Sequence, residues 1–182
     1  MKNFALALCL ALAAQPAMAR GAVKLSSAGA GSCGRTTNVA HQQGEVFTHK
    51  EAGVQFALPQ GWKAKPDGET ITVSTADDSL QIVFWVPDED TFDAAVKDLD
   101  KELGKTIKNI KTTGKPTKDT HNGMAHYEEN GTGEVEGVTI AWSVDVLGAK
   151  KPLIILTFAA PNLFEKHADE YLKLVGSIKK IE

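Results

Sequence analysis

The densest grouping of proton- and metal-active side chains in this 182-residue chain is Asp119, His121, His126, Glu128 and Glu129. Imidazole and carboxylate are zinc ligands, but zinc needs three or four of them in a tetrahedral array. His121 and His126 flank Asn122-Gly123, a pair that accepts the positive φ of a two-residue hairpin turn. Across such a turn His121 faces Met124, and His126 falls further down the return strand. The two rings are therefore not expected to converge, and the set reads as surface polar residues and not as a metal centre. Cys33 with His41 or His49 would supply a thiol and a base. Yet residues 20–44 have no apolar period that could hold such a geometry. His167 falls on an apolar stripe at helical spacing and reads as a half-buried structural histidine. No nucleophile elbow, phosphate-binding loop or HExxH motif occurs. Asn130-Gly131-Thr132 is a formal glycosylation sequon, of use only in a eukaryotic secretory pathway. The expectation is a chain with no catalytic residues, no resident metal and no cofactor.

The elements that would position these residues follow from periodicity. Residues 138–160 hold two strand-like runs joined by a loop over 147–152. In the first, Val138, Ile140, Trp142, Val144 and Val146 alternate with smaller or polar residues, the period of a strand with one buried face. The second, 153–158, is apolar almost throughout, as in a strand covered on both faces. Upstream, short strands are expected at 45–49, 54–58, 70–75 and 80–86, with Asp67-Gly68 and Asp77-Asp78 as turns. Phe92, Val96, Leu99 and Leu103 mark a helix stripe, capped by Asp90 or Thr91 and stopped by Gly104. Residues 107–118 are Lys-rich and suit an edge strand or loop, where lysine and proline discourage stray pairing. A return strand is expected at 124–130, with Gly131, Gly133 and Gly137 around the next turn. A last helix carries Phe164, His167, Tyr171, Leu174, Val175 and Ile178 on one stripe. Trp62, Trp85 and Trp142 read as core residues, although Trp85 and Phe84 face opposite ways, so one of them meets a helix layer or an open groove. The order of strands and helices predicts an α+β domain, one mainly antiparallel sheet covered by helices.

Lys2, an apolar run over residues 4–14 and Ala17-Met18-Ala19 form the pattern of a secretory signal peptide cleaved after Ala19. The run is too short for a membrane-spanning helix, which needs roughly 20 apolar residues. Residues 20–44, rich in Gly, Ala, Ser, Thr and Gln, read as a flexible leader. The folded domain is then 45–182. Formal net charge is −3, with both signs interspersed and no basic stripe for nucleic acid. Cys9 would leave with the signal, and Cys33 alone cannot form an internal disulfide. Ala30-Gly31-Ser32-Cys33 loosely resembles a lipoprotein box, but Arg20 and Lys24 separate it from the apolar run, which argues against lipidation. A soluble periplasmic or secreted protein is expected.

Phe56, Leu58, Pro59, Gly61 and Trp62 form an F-x-L-P-x-G-W pattern that resembles the opening strand of Mog1/PsbP-like domains. The closing helix, with Gly176-Ser177-Ile178-Lys179, is similar to the usual end of such domains, and the resemblance covers 45–182. It implies an α/β/α sandwich around an antiparallel sheet. It also implies a binding or accessory protein. Members include the oxygen-evolving-complex extrinsic protein, the Ran-binding nuclear-transport factor and bacterial periplasmic proteins and lipoproteins. The five matching residues are a structural signature, and no segment matches the Ran-binding surface or the photosystem-binding N-terminal segment. The expected function is an exported, non-enzymatic accessory module of the bacterial cell envelope that binds another envelope protein. The alternative is a periplasmic protein that binds a small molecule or metal in a pocket between sheet and helix.

Overall fold

Alternating apolar positions interrupted by turn pairs build eleven strands and three helices over residues 44–181, the part of the chain that the computed structural model describes. The signal segment, the leader up to residue 43, Cys33 and His41 lie outside the described residues. In chain order the strands are β1 (Val46–His49), β2 (Val54–Ala57), β3 (Lys63–Asp67), β4 (Thr70–Ser74) and β5 (Leu80–Trp85). Helix α1 (Phe92–Thr106) follows, then β6 (Lys108–Thr112), β7 (Thr117–His121), β8 (Met124–Val135), β9 (Val138–Gly148) and β10 (Pro152–Ala159). Helices α2 (Pro161–Lys166) and α3 (Ala168–Gly176) and the short β11 (Lys179–Lys180) complete the domain.

The large sheet runs β3-β4-β5-β10-β9-β8-β6, with β7 also paired to β8, and every pairing is antiparallel. A second, three-stranded sheet runs β1-β2-β11. β10 is buried at all its positions, and β9 is buried on both faces from Trp142 to Leu147. One face of the large sheet carries α1, which buries Ala95, Leu99 and Leu103. The other face carries Ile82, Phe84 and Ile155 against Phe56, Trp62, Tyr171, Leu174 and Ile178. Phe56 and Phe84 stack at 4.5 Å with planes 2° apart, which joins the small sheet to the large one. The arrangement is α+β, with helices on both faces of an antiparallel sheet. The second outer layer is shared between α2, α3 and the small sheet, a partition that periodicity does not reveal.

Four local expectations need correction. Gly104 does not stop α1, which runs to Thr106 and ends where the Ile107 N–H bonds to Leu103 O at 2.8 Å. Thr91 is the cap, its hydroxyl accepting from Ala94 N–H at 3.3 Å. β8 extends past residue 130 to Val135, so Gly131 and Gly133 are strand residues. The turn is Glu136-Gly137, with φ of 52° and 82°. The last helix breaks at His167, which ends α2 and begins α3, and Ile178 lies beyond it. The loop after β9 is shorter than 147–152, because Gly148 pairs with Pro152. Proline is tolerated there as the first strand residue, where no ladder N–H is required.

Candidate functional site

The Asn122-Gly123 turn, with φ of 47° and 75°, sets the β7–β8 register so that Asp119 lies opposite His126 and His121 opposite Met124. Side chains alternate along a strand, so Asp119, His121 and His126 share one face with Asp145 of β9. His126 is buried, not a surface residue, and its ring is held between two carboxylates. Nδ1 donates to Asp119 Oδ1 at 2.7 Å and Nε2 donates to Asp145 Oδ1 at 2.9 Å. The other Asp145 oxygen accepts from Tyr171 of α3 at 3.0 Å. Asp145 is 4% exposed, so its charge is compensated by His126 and by hydrogen bonds. The hydrogen bond to Asp145 chiefly, with Asp119 adding to it against the cost of burial, raises the His126 pKa to about 9. Burial, then the Asp145 charge, pushes the Tyr171 phenol up as well. At neutral pH the imidazolium donates through both nitrogens and offers no lone pair to a substrate or a metal.

The remaining residues of the cluster are dispersed. His121 comes within 5.8 Å of the His126 ring, closer than expected, but its Nε2 meets Asn122 Nδ2 at 3.2 Å. Glu128 accepts from Asn130. Glu129 faces the opposite side of the sheet, where Tyr127 and Thr112 hydroxyls each donate to it at 2.7 Å. Among the described residues, no three or more His, Cys, Asp or Glu side chains are placed to hold a metal ion. His49 is likewise engaged, its Nε2 at 2.8 Å from Glu69 O.

A second histidine forms a grouping that sequence reading missed. His167 Nε2 lies 3.1 Å from Ser79 Oγ, and its Nδ1 lies 3.1 Å from Glu170 Oε2. Serine, histidine and carboxylate in this order have the spacing of an acyl-transfer triad. The Ser79 hydroxyl has a second, shorter contact, donating to Asp77 Oδ1 at 2.6 Å, while Glu170 accepts at His167 Nδ1. Hydrogen bonds from Ser79 and Thr75 hold the Asp77 carboxyl well below its usual range. The Ser79 and Leu80 N–H groups both bond to Thr75 Oγ1, so neither is free to bind an oxyanion. The group instead ties the β4–β5 turn to the α2–α3 junction, with Trp62 edge-on to the His167 ring.

Asn122 does more than turn the chain. Its Nδ2 donates to Ile178 O at 2.7 Å and to Gly176 O at 3.2 Å, pinning the hairpin tip to the end of α3. Beside this contact lies a groove of about 610 Å³ bordered by Val46, Gln55, Ala57, Asn122, Ser177 and Lys179. Val46 is 58% exposed on it. Asp145 had a sequence signal of sorts, a lone acid on a strand paired with the almost wholly apolar β10.

The raised His126 pKa carries a pH dependence. The folded value of about 9 exceeds the ordinary 6.5, so the protonated ring stabilises the fold fully below pH 6.5. That contribution is lost as pH rises from 6.5 through 9. Urea midpoints measured across this window should fall for the natural chain and stay nearly flat for H126Q. Equal slopes would remove His126 from the account. Ordinary tyrosine ionisation, at about 10, lies above the window.

An antiparallel sheet with helices on both faces, its two histidine clusters each hydrogen-bonded between elements, defines an α+β scaffold. Comparison with solved structures places that scaffold. The chain is similar to the cyanobacterial PsbP protein CyanoP of Synechocystis sp. PCC 6803 at a TM-score of 0.52 and 13% identity, over 82% of this chain and 98% of that one. It is similar to LpqN of Mycobacterium tuberculosis, a protein involved in cell envelope biogenesis, at 0.50 and 10%, over 77% and 86%. A Bacteroides thetaiotaomicron protein aligns at 0.54 and 12%, over 77% of this chain, which spans about half (49%) of that one. The fold is Mog1/PsbP-like. No protein-family model and no curated protein matches the sequence. Among the described residues no helix is long and apolar enough to cross a membrane.

Proposed function

We propose that the protein is an exported accessory module of the bacterial cell envelope that binds another envelope protein and performs no chemistry of its own. The observation that carries this reading is the saturation of both histidine clusters. His126 has a carboxylate on each nitrogen, and the hydroxyl beside His167 has already donated its proton to Asp77. Groups that could transfer protons are instead cross-links between secondary-structure elements. The groove beside Asn122 is the surface such a module would present, open and mixed in polarity, as in partner-binding sites. The basic start, short apolar run and Ala17-Met18-Ala19 support export, and LpqN, which shares the fold, is involved in cell envelope biogenesis.

Photo-crosslinking residues at Val46 and at Lys179, compared with Lys101 on the exposed side of α1, test the reading in intact cells. The expected result is one protein adduct common to the two groove positions and absent at Lys101. Adducts that do not depend on position would sink the groove, and fluorophosphonate labelling of Ser79 would sink the claim of no chemistry.

A further inference from the structure

Asparagine is followed by glycine twice in this chain, at residues 122–123 and 130–131. Such a pair is open to loss of ammonia from the asparagine side chain, because glycine has no Cβ to shield its nitrogen. The glycine N–H gives up its proton and the nitrogen attacks Asn Cγ. The new C–N bond displaces Nδ2, which leaves as ammonia with that proton. Water then adds to the cyclic imide and opens it to aspartate or isoaspartate.

Both asparagines are exposed, so exposure does not separate the two pairs, but the backbone does. Asn130 and Gly131 lie inside β8, between β6 and β9. Gly131 is aligned with Thr112 on one side and Trp142 on the other, and the Thr113 N–H bonds to Asn130 O at 2.7 Å. A backbone paired on both sides cannot bring its nitrogen to Cγ without opening the sheet. Asn122 and Gly123 form the two-residue tip of the β7–β8 hairpin. The Gly123 N–H lies outside the ladder and has no hydrogen-bond partner among the described residues. What restrains the reacting carboxamide is its own Nδ2, held by Ile178 O at 2.7 Å and Gly176 O at 3.2 Å. Opening these two bonds frees the side chain while the sheet stays paired.

We propose that Asn122 is a deamidation site of the folded protein, selected over Asn130, and that its conversion unpins the hairpin tip from the end of α3. The product cannot restore the contact. A carboxylate has no hydrogen to donate and would face two carbonyl oxygens. His121 Nε2, 3.2 Å from Asn122 Nδ2, belongs to the hairpin itself and gives no hold on α3. Isoaspartate would also lengthen the backbone of the two-residue turn by one atom. Because ammonia is lost, the release is one-way. The inference is independent of the accessory role.

The natural chain is incubated in mildly alkaline buffer, folded in one sample and unfolded in urea in the other. Cleavage after Glu128 and Glu129 puts the two asparagines on separate fragments, and mass spectrometry reads the conversion of each. Unfolded, the two should convert at comparable rates. Folded, Asn122 should convert more slowly than in urea, yet about tenfold or more faster than Asn130, since tip opening costs less than opening the sheet. Equal folded rates at the two sites, or conversion of Asn122 only after unfolding, would overturn the site. A folded Asn122 as fast as the unfolded one would overturn its restraint by α3. N122D reads the consequence, with faster amide exchange expected at residues 176–178 and none of that change in β9 and β10. Unchanged exchange at 176–178 would overturn the release. Should N122D misfold, the deamidated natural chain, separated by its added negative charge, carries the same measurement.

Discussion

Replacing Asp145 with alanine should lower the free energy of unfolding by about 3–5 kcal/mol at neutral pH, the cost of removing one partner from a buried charge pair. Two donors lose their acceptor together, His126 Nε2 and the Tyr171 hydroxyl. Each buried donor left unmet costs about 1–3 kcal/mol, so two cost about 2–6 kcal/mol, a span that brackets that range. The asparagine variant should behave differently. With neutral His126 keeping its proton on Nδ1 towards Asp119, the amide of Asn at 145 can donate to Nε2 while its oxygen accepts from Tyr171. His126, Tyr171 and the amide oxygen each then keep a partner. D145N should therefore cost no more than about 1–2 kcal/mol, in the range of an ordinary hydrogen bond. It should also shrink the stability change between pH 6.5 and 9, because the hydrogen bond to the Asp145 carboxylate that chiefly raises the His126 pKa is gone and only Asp119 still raises it. Urea denaturation at pH 7 separates the cases. Equal losses for the two variants would show that Asp145 acts through packing and not through the network.

How far this arrangement was legible depended on whether its cause is local. The Asn122-Gly123 hairpin and the β9–β10 pair could be read directly, because turn chemistry and period-two alternation are written within a few neighbouring residues. F-x-L-P-x-G-W at residues 56–62 likewise carried the fold. The site was harder. His121, His126 and Asp119 were visible as a cluster because one hairpin brings them together. Asp145 and Tyr171 join it from 26 and 52 residues downstream of Asp119 through sheet order and helix docking. No period announces that. The Ser79 to His167 contact spans 88 residues and depends on how α2 and α3 settle on the β4–β5 turn. β11 has only Lys179 and Lys180, both exposed, and exists because β2 offers an edge.

Gly131 shows the same distinction in a form that can be measured. It lies inside β8 with no positive φ, so backbone freedom does not explain it. A methyl group there would sit 2.4 Å from Lys111 O and 2.5 Å from Trp142 Cζ2. Neither neighbour can yield cheaply. The carbonyl belongs to the backbone of β6, and Trp142 is a fully packed indole at 2% exposure. G131A should therefore destabilise the domain by about 1–3 kcal/mol or more, as overpacking of a filled core does. It should also loosen β6 first, visible as faster amide exchange at residues 108–112. Gly104 provides the opposite case. It lies within α1, and a methyl there would meet nothing within 4 Å. Alanine in that place removes the helix penalty of glycine, so G104A should stabilise by about 0.5–1 kcal/mol. The two substitutions are chemically identical and differ only in what surrounds them. Urea midpoints that moved in the same direction for both would refute the close β6–β8–Trp142 packing on which the α1 face of the sheet is built.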